Sequence, residues 1–403
     1  MTKTLRSNPG GDLAPDEVLG RDTLIRRIWE ILDRQSVLLT AERRMGKSCL
    51  IKKMRSEPPQ GVLAFYRDVE GVDSPLRFVE RIYRDVEAHL GLLQRTTGRV
   101  QSFLRRFHGL EVPGVRFPLP AAPHWKDLLE RTLEDLAEHR EGNVVFFWDE
   151  LPLMLEKIKR LGGEGLAMEV LDALRAARQT HPKLRMVYTG SIGLHHVVSS
   201  LREVGHAADA TNDMMVIEVP PLDTPEAANL ARNLLEGEAI RCTDRAKTSE
   251  AIAAGLDGIP YYVHHVVSSL RTDDEEATPE SVARRVDRAL TDPTDPWHLK
   301  HFRERLRDYY PGERGEVASA MLDELASAPP LAVEDLRRRL ASTLTPAAGS
   351  FTERILSSEP AAMREVLTTL ERDHYIHRDP EGLYGFRFPL VRRWWRFDRG
   401  LDS

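Results

Sequence analysis

The sequence predicts a parallel α/β sheet, then an all-helical segment, then a small C-terminal domain of helices closed by a hairpin. Three observations lead there. As far as Leu222, short apolar runs of strand length alternate with amphipathic stretches of about 10–15 residues, the pattern of parallel strands joined by crossover helices. Beyond Leu222 the strand pattern stops, and residues 224–290 carry only helical periodicity. Finally, YIHRDPEGLYGFRF (Tyr375 to Phe388) holds two short strands about a Pro-Glu-Gly turn, after helical stretches at 316–327, 333–341 and 360–373.

Taken in order, MTKTLRSNPGGDLAPDEV lacks the apolar stretch of a signal peptide, and residues 1–15 read as a mobile arm. The segment 16–222 begins with VLGRDTLIRRIWEIL, apolar at helical spacing. It continues through SVLLT, VLAFYRD, NVVFFWDE, LRMVYTGS and VIEVPPL as successive strands with their exits. Residues 91–125 break the alternation, and VPGVRFPLP suggests an inserted arm. TDPTDPW (Thr291 to Trp297) marks a boundary between a helical segment, 223–296, and a C-terminal domain, 297–403. A chain of 403 residues accommodates this number of domains.

Composition excludes several classes. With 41% hydrophobic and 30% charged residues the chain has ample material for buried cores. No stretch approaches the ~18 apolar residues of a membrane span, so no membrane partner and a cytoplasmic setting are expected. Cys49 and Cys242 are too few for a disulfide framework and lack metal-ligand spacing. The net charge of −6 argues against coating nucleic acid by bulk electrostatics, while a local basic face remains allowed.

AERRMGKS (Ala41 to Ser48) follows an apolar strand and precedes a helix. It matches a phosphate-binding loop whose first Gly is replaced by Ala. Such a loop turns backbone N–H groups inward around phosphate oxygens, and the helix behind it adds its N-terminal dipole. The candidate nucleotide contacts are Ala41, Glu42, Arg43, Arg44, Met45, Gly46, Lys47, Ser48 and Cys49. Lys47 is placed to reach the β- and γ-phosphates, and the Ser48 hydroxyl to hold Mg²⁺.

NVVFFWDE delivers Asp149 and Glu150 at the C-terminal end of a buried strand, where ligands bind in open α/β sheets. Asp149 is the second candidate for Mg²⁺, and Glu150 the candidate base that polarises a water for attack on the γ-phosphate. The alternative is an Asp-Glu helix cap. The next strand ends in Thr189-Gly190-Ser191; a hydroxyl there, with Ser191 favoured, would sense the γ-phosphate, or the tripeptide is simply a polar turn.

Together these residues resemble the archaeal-type ATPase group within the STAND and AAA+ P-loop NTPases. The resemblance spans most of the chain: Gly20-Arg21 before the first helix, RRMGKS, DVEGVDSP, WDE, TGS, GLDGIPYYV (Gly255 to Val263) and GFRFPLVRRWW (Gly385 to Trp395). It implies a nucleotide-binding core over 16–222, a helical lid over 223–296, a winged-helix domain over 297–403, and ATP or ADP with Mg²⁺ as ligands. It also implies that Gly258, Ile259 and Pro260 lie beside the adenine, with Arg21 a further neighbour of the base. Oligomerisation on ATP binding would fit the same group. The stretch after the TGS strand holds only Arg202 between Arg202 and Met214, so no arginine finger is assigned.

Three helices and a hairpin are winged-helix architecture. From Lys300 to Ser403 there are 17 basic and 17 acidic residues, poor footing for duplex DNA. The tail Arg387 to Arg399 has five Arg and one Asp interleaved with Trp394, Trp395 and Phe397. It reads either as a surface for nucleic acid or protein, or, as favoured here, as a closing helix with packed aromatics. His374 and His377 are candidate contacts to ADP by the same resemblance. The function expected is an ATP-hydrolysing switch whose nucleotide state moves the winged helix. The alternatives are a DNA-associated ATPase and a nucleotide-bound protein regulator without turnover.

Overall fold

A computed structural model describes residues 4–93, 125–138, 142–190, 193–203, 210–357 and 360–401. The expected insert at 91–125 falls outside this set except at its ends, and Ser191 falls outside it altogether. The chain forms two compact units: a sheet unit, Thr23–Thr40 with Leu50–Glu218, and a helical unit, Met1–Asp22 with Ala41–Cys49 and Val219–Ser403.

In the sheet unit, helix α1 (Asp22–Leu32) leads to β1 (Val37–Thr40), and helix α2 (Lys47–Ser56) leads to β2 (Leu63–Asp68). There follow α3 (Pro75–Leu93), α4 (Trp125–Glu138), β3 (Val144–Asp149), α5 (Leu151–Gly162), α6 (Glu164–Thr180), β4 (Leu184–Tyr188), α7 (Leu194–Glu203) and β5 (Met215–Glu218). The five strands are all parallel, in the order β2-β3-β4-β1-β5. β3 is buried along its whole length, because helices cover both faces of a parallel sheet and every side chain must therefore be apolar or paired. Register sets Phe65 opposite Phe146 and Asp68 opposite Asp149. The rings of Phe65 and Phe146 stack at 5.0 Å, and those of Trp148 and Tyr188 at 5.7 Å.

One buried cation staples this unit. Arg178, from α6, reaches Asp213 through Nε at 2.9 Å and Nη2 at 2.8 Å, and donates to Tyr188 Oη at 2.5 Å and the Ala210 carbonyl at 2.7 Å. With four oxygen acceptors around it, the guanidinium is held well charged inside an apolar layer.

The helical unit comprises α8 (Thr224–Gly237), α9 (Arg245–Gly255), α10 (Pro260–Thr272), α11 (Pro279–Thr291), α12 (His301–Tyr309), α13 (Glu313–Ser327), α14 (Val333–Thr343), α15 (Phe351–Leu356), α16 (Pro360–Arg372), the hairpin β6 (Ile376–Arg378) and β7 (Tyr384–Phe386), and α17 (Pro389–Arg399). Helix starts carry their own signals: Asp223, Asp244, Thr278 and Ser350 each accept a backbone N–H of the first turn. Leu331 exchanges two backbone hydrogen bonds with Tyr384, adding a bridge beside the hairpin.

Two expectations about this unit meet definite geometry. In α17, Trp394 and Trp395 are buried, while Arg392 donates to the Ala326 and Ala328 carbonyls and Arg399 pairs with Asp323 at 2.7 Å. Arg393 pairs with Asp287. The two tryptophans and these three arginines follow the closing-helix arrangement, whereas Phe397 is exposed. The expected mobile arm over 1–15 is instead docked from Leu5 onward: Leu5 is buried, Ser7 donates twice to Glu238 Oε1, and the Asn8 N–H reaches His264 Nδ1 at 3.1 Å, so backbone and side-chain contacts hold it. Among the described residues, no helix is long and apolar enough to cross a membrane.

Candidate functional site

The phosphate loop takes its shape from two residues in the left-handed region, Arg44 at φ +74° and Gly46 at φ +83°. Gly46 adopts this freely, whereas Arg44 must be held there by its surroundings. A Cβ built on Gly46 would meet nothing within 4 Å, so its backbone is open on that side. Lys47, the first residue of α2, is buried, and its Nζ donates to the carbonyls of Ala41 at 2.9 Å and Glu42 at 3.1 Å. The amine is thereby folded back across the loop it would serve.

Four contacts from the helical unit hold this loop. Arg21, buried, bridges the Met45 carbonyl at 2.9 Å and the Pro220 carbonyl at 2.8 Å; burial lowers its pKa to about 10 despite Glu226 nearby. Met45 itself is buried. The Arg44 guanidinium lies 4.0 Å from the centroid of the Tyr261 ring, which packs at 4.5 Å against His265. Glu42 is buried and takes Arg305 in a fork, Nη2 to Oε2 at 2.8 Å and Nη1 to Oε1 at 3.3 Å; His301 Nε2 stands 3.2 Å from Oε1. Burial alone would raise the Glu42 pKa, but the Arg305 cation and His301 hold it far below the usual carboxylate range.

Pro260 opens α10 after Ile259, and Gly258 has φ +66° with its Cα pressed on the chain at Leu222, where a Cβ would stand 2.0 Å from the carbonyl oxygen. Arg21 and Pro260 thus belong to the same unit as the loop. Arg43, Ser48 and Cys49 are half-buried. His374, buried at φ +61°, is pushed down to a pKa of about 4, mainly by burial, with Glu42 opposing and Arg387, Arg305 and Lys47 adding to the depression; His377 is exposed.

In the sheet unit, Asp149 ends β3, buried, and its Oδ2 accepts the Tyr66 hydroxyl at 3.2 Å. Glu150 follows at φ +61° and occupies the N-cap position of α5 without a side-chain capping bond. A left-handed non-glycine costs energy, and here it turns the chain sharply at the sheet's C-terminal edge. Thr189, at the tip of β4, accepts the Leu151 N–H through its carbonyl; its buried Oγ1 has no hydrogen-bond partner among the described residues. That hydroxyl is a further candidate at the tip of β4, and its burial shows only in three dimensions.

No protein-family model matches the sequence, and no curated protein matches it. Solved structures do. A Walker-type ATPase of Pyrococcus abyssi superposes with a TM-score of 0.62 at 17% identity, covering 96% of this chain and 99% of that one. The chain shares the fold of that ATPase. The ORC2 protein of Aeropyrum pernix, solved in ADPNP–ADP complexes, gives a TM-score of 0.52 at 12% identity, with 95% of each chain covered. At these identities the likeness speaks for the fold alone.

Proposed function

We propose that the chain is an ATP-binding and ATP-hydrolysing molecular switch of the STAND or AAA+ kind. The observation that carries this reading is the loop Ala41–Ser48: left-handed at Arg44 and Gly46, open on one side at Gly46, and leading straight into a helix N-terminus with Lys47 inside it. Lys47 would leave the Ala41 and Glu42 carbonyls for the phosphates. The Ser48 hydroxyl and the Asp149 carboxylate are the hard oxygen donors Mg²⁺ takes, and the ion would offset the charge gathering on the phosphate oxygens. Glu150 is the base that polarises the attacking water, and a hydroxyl at the β4 tip, Ser191 or Thr189, orients it. Arg21 and the Gly258–Pro260 turn would border the base, and turnover is expected to be slow.

The domains that follow from this reading are a nucleotide core over 16–222, a lid over 223–296 and a winged helix over 297–403, whose position depends on nucleotide state. Its partner would be a protein, because the arginines of α17 at 392, 393 and 399 are already answered within the unit. A DNA-associated ATPase is the second reading, supported by the three-helix-and-hairpin C-terminal arrangement. Oligomerisation on ATP binding and a cytoplasmic setting fit either.

Two variants test this. Lys47→Ala is expected to abolish binding of a fluorescent ATP analogue; retained affinity would remove the phosphate-loop assignment. Glu150→Gln should bind ATP normally and lose at least ~100-fold in turnover. Turnover of the wild type raised several-fold by duplex DNA would favour the second reading.

A further inference from the structure

The Glu42 side chain is an unusual thing to find in a phosphate loop. The loop needs backbone N–H groups, not a buried carboxylate, and a negative charge beneath a phosphate site opposes the ligand. Here that charge is neutralised from helix α12. Arg305 forks both carboxylate oxygens, and His301 approaches one of them at 3.2 Å. His301 Nδ1 also lies 2.6 Å from the His298 carbonyl, so the ring spans the two groups.

The contact reaches further in both directions. Toward the loop, Glu42 Oε1 accepts the Arg43 N–H at 2.7 Å, so the same carboxylate oxygen that meets Arg305 and His301 also fixes the peptide just before the strained Arg44. Toward the C-terminus, Arg305 Nε donates to Tyr375 Oη at 3.2 Å, and that hydroxyl donates to the Phe302 carbonyl at 2.5 Å. Tyr375 immediately precedes β6 of the hairpin. A chain of buried polar contacts thus runs from the peptide of Arg43 to the foot of the hairpin, every link within one unit.

Simple stability does not account for this pair. Bringing two charges out of water costs several kcal/mol each, and an apolar pair of like volume would generally serve a core as well. What the charged pair supplies that an apolar pair would not is directional hold on the loop backbone. We propose that Arg305 and His301 are positioning residues for the phosphate loop. Through Glu42 they keep the strained loop in its nucleotide-ready shape, so that occupation of the loop and seating of α12 depend on each other. This deepens, and rests on, the reading of Ala41–Ser48 as a nucleotide site. By linkage, a contact that assists nucleotide binding must itself be tightened by nucleotide.

The test is stopped-flow release of a fluorescent ADP analogue from the full chain: wild type, Glu42→Gln, Arg305→Met and the double variant. Each single variant is expected to release the analogue ~10-fold faster, and the double variant no faster than the quicker single, since both remove one interaction. Hydrogen exchange of residues 301–309 should slow on adding ADP in the wild type and not in Glu42→Gln. A residue with only a structural role would lower the unfolding midpoint and leave both readouts where they were. Should Glu42→Gln not fold, His301→Gln removes one hydrogen bond and leaves the Arg305 fork; ~3-fold faster release is then expected. Unchanged or slower release in folded variants overturns the proposal alone. Failure of the wild type to bind the analogue overturns the nucleotide reading, and this proposal with it.

Discussion

The two units each bury an arginine against a carboxylate and a tyrosine, and the two triads differ in what the carboxylate belongs to. In the sheet unit, Arg178 joins Asp213, just ahead of β5, to Tyr188 at the end of β4, all elements of the sheet it staples. In the helical unit, Arg305 joins Glu42 to Tyr375, and Glu42 sits in the phosphate loop. Asp213 is partly exposed, whereas Glu42 is sealed, so the second triad bears the larger desolvation cost. The same chemistry therefore acts as a clamp between structural elements in one place and as a grip on a candidate binding loop in the other. Buried charge alone does not mark a site. What its partner backbone does decides.

The comparison would break most visibly at Arg178. Arg178→Met leaves Asp213 and Tyr188 facing an apolar side chain and should cost ~3–5 kcal/mol of stability in urea unfolding. Nucleotide affinity of the folded fraction should not move. A parallel loss of affinity would mean that the sheet-unit triad also serves the site, and the distinction would fail.

A pH titration sharpens it next. Burial lowers the pKa of His264, which accepts the Asn8 N–H, to about 4 from 6.5. The folded chain thus refuses a proton that the unfolded chain takes up, so stability is complete above pH 6.5 and falls as pH drops toward 4. Between pH 7 and pH 5 this group should account for about 2 kcal/mol, and His264→Gln, which keeps an acceptor for Asn8, should flatten the unfolding curve by that amount. Asp257, pushed up to about 6 by burial, works in the opposite direction over the same range. The single-variant difference is therefore the informative quantity, and an unchanged slope would show that the arm does not stay docked on His264.

The smallest expected effect is at Asp257 itself, whose carboxylate accepts the Leu390 N–H at 2.7 Å and so caps α17 from a distant turn. Asp257→Ala should cost about 1 kcal/mol in thermal unfolding at pH 7. A larger loss would show that the cap holds more than the helix end.

Much of the fold was legible in order of residues. The five strands lie where short apolar runs end in turn or carboxylate residues, as SVLLT and NVVFFWDE do; in β3, buried along its whole length, the run is unbroken up to Asp149. The hairpin at Tyr375–Phe388 was legible from its Pro-Glu-Gly turn, whereas the short helix Phe351–Leu356 has too few residues to show a period. Residues 4–14 show Gly, Pro and Asn, which carry no docking signal; their attachment runs through backbone groups and single side chains such as Ser7. The left-handed bends of the loop Ala41–Ser48 at Arg44 and Gly46 are local features, and its spacing in the sequence marked the segment as a candidate phosphate loop.

What sequence by itself determined, then, is whatever is written within one turn of helix, one strand or one loop: the alternation of elements, the loop residues and the carboxylates ending β3. Tertiary structure alone decided the pairing of Glu42 with Arg305, 263 residues away, the left-handed turn at Glu150, and the burial of Thr189. The reason is physical. Periodicity and motif record local backbone preference, whereas a buried charge finds its partner only when the whole unit has closed around it.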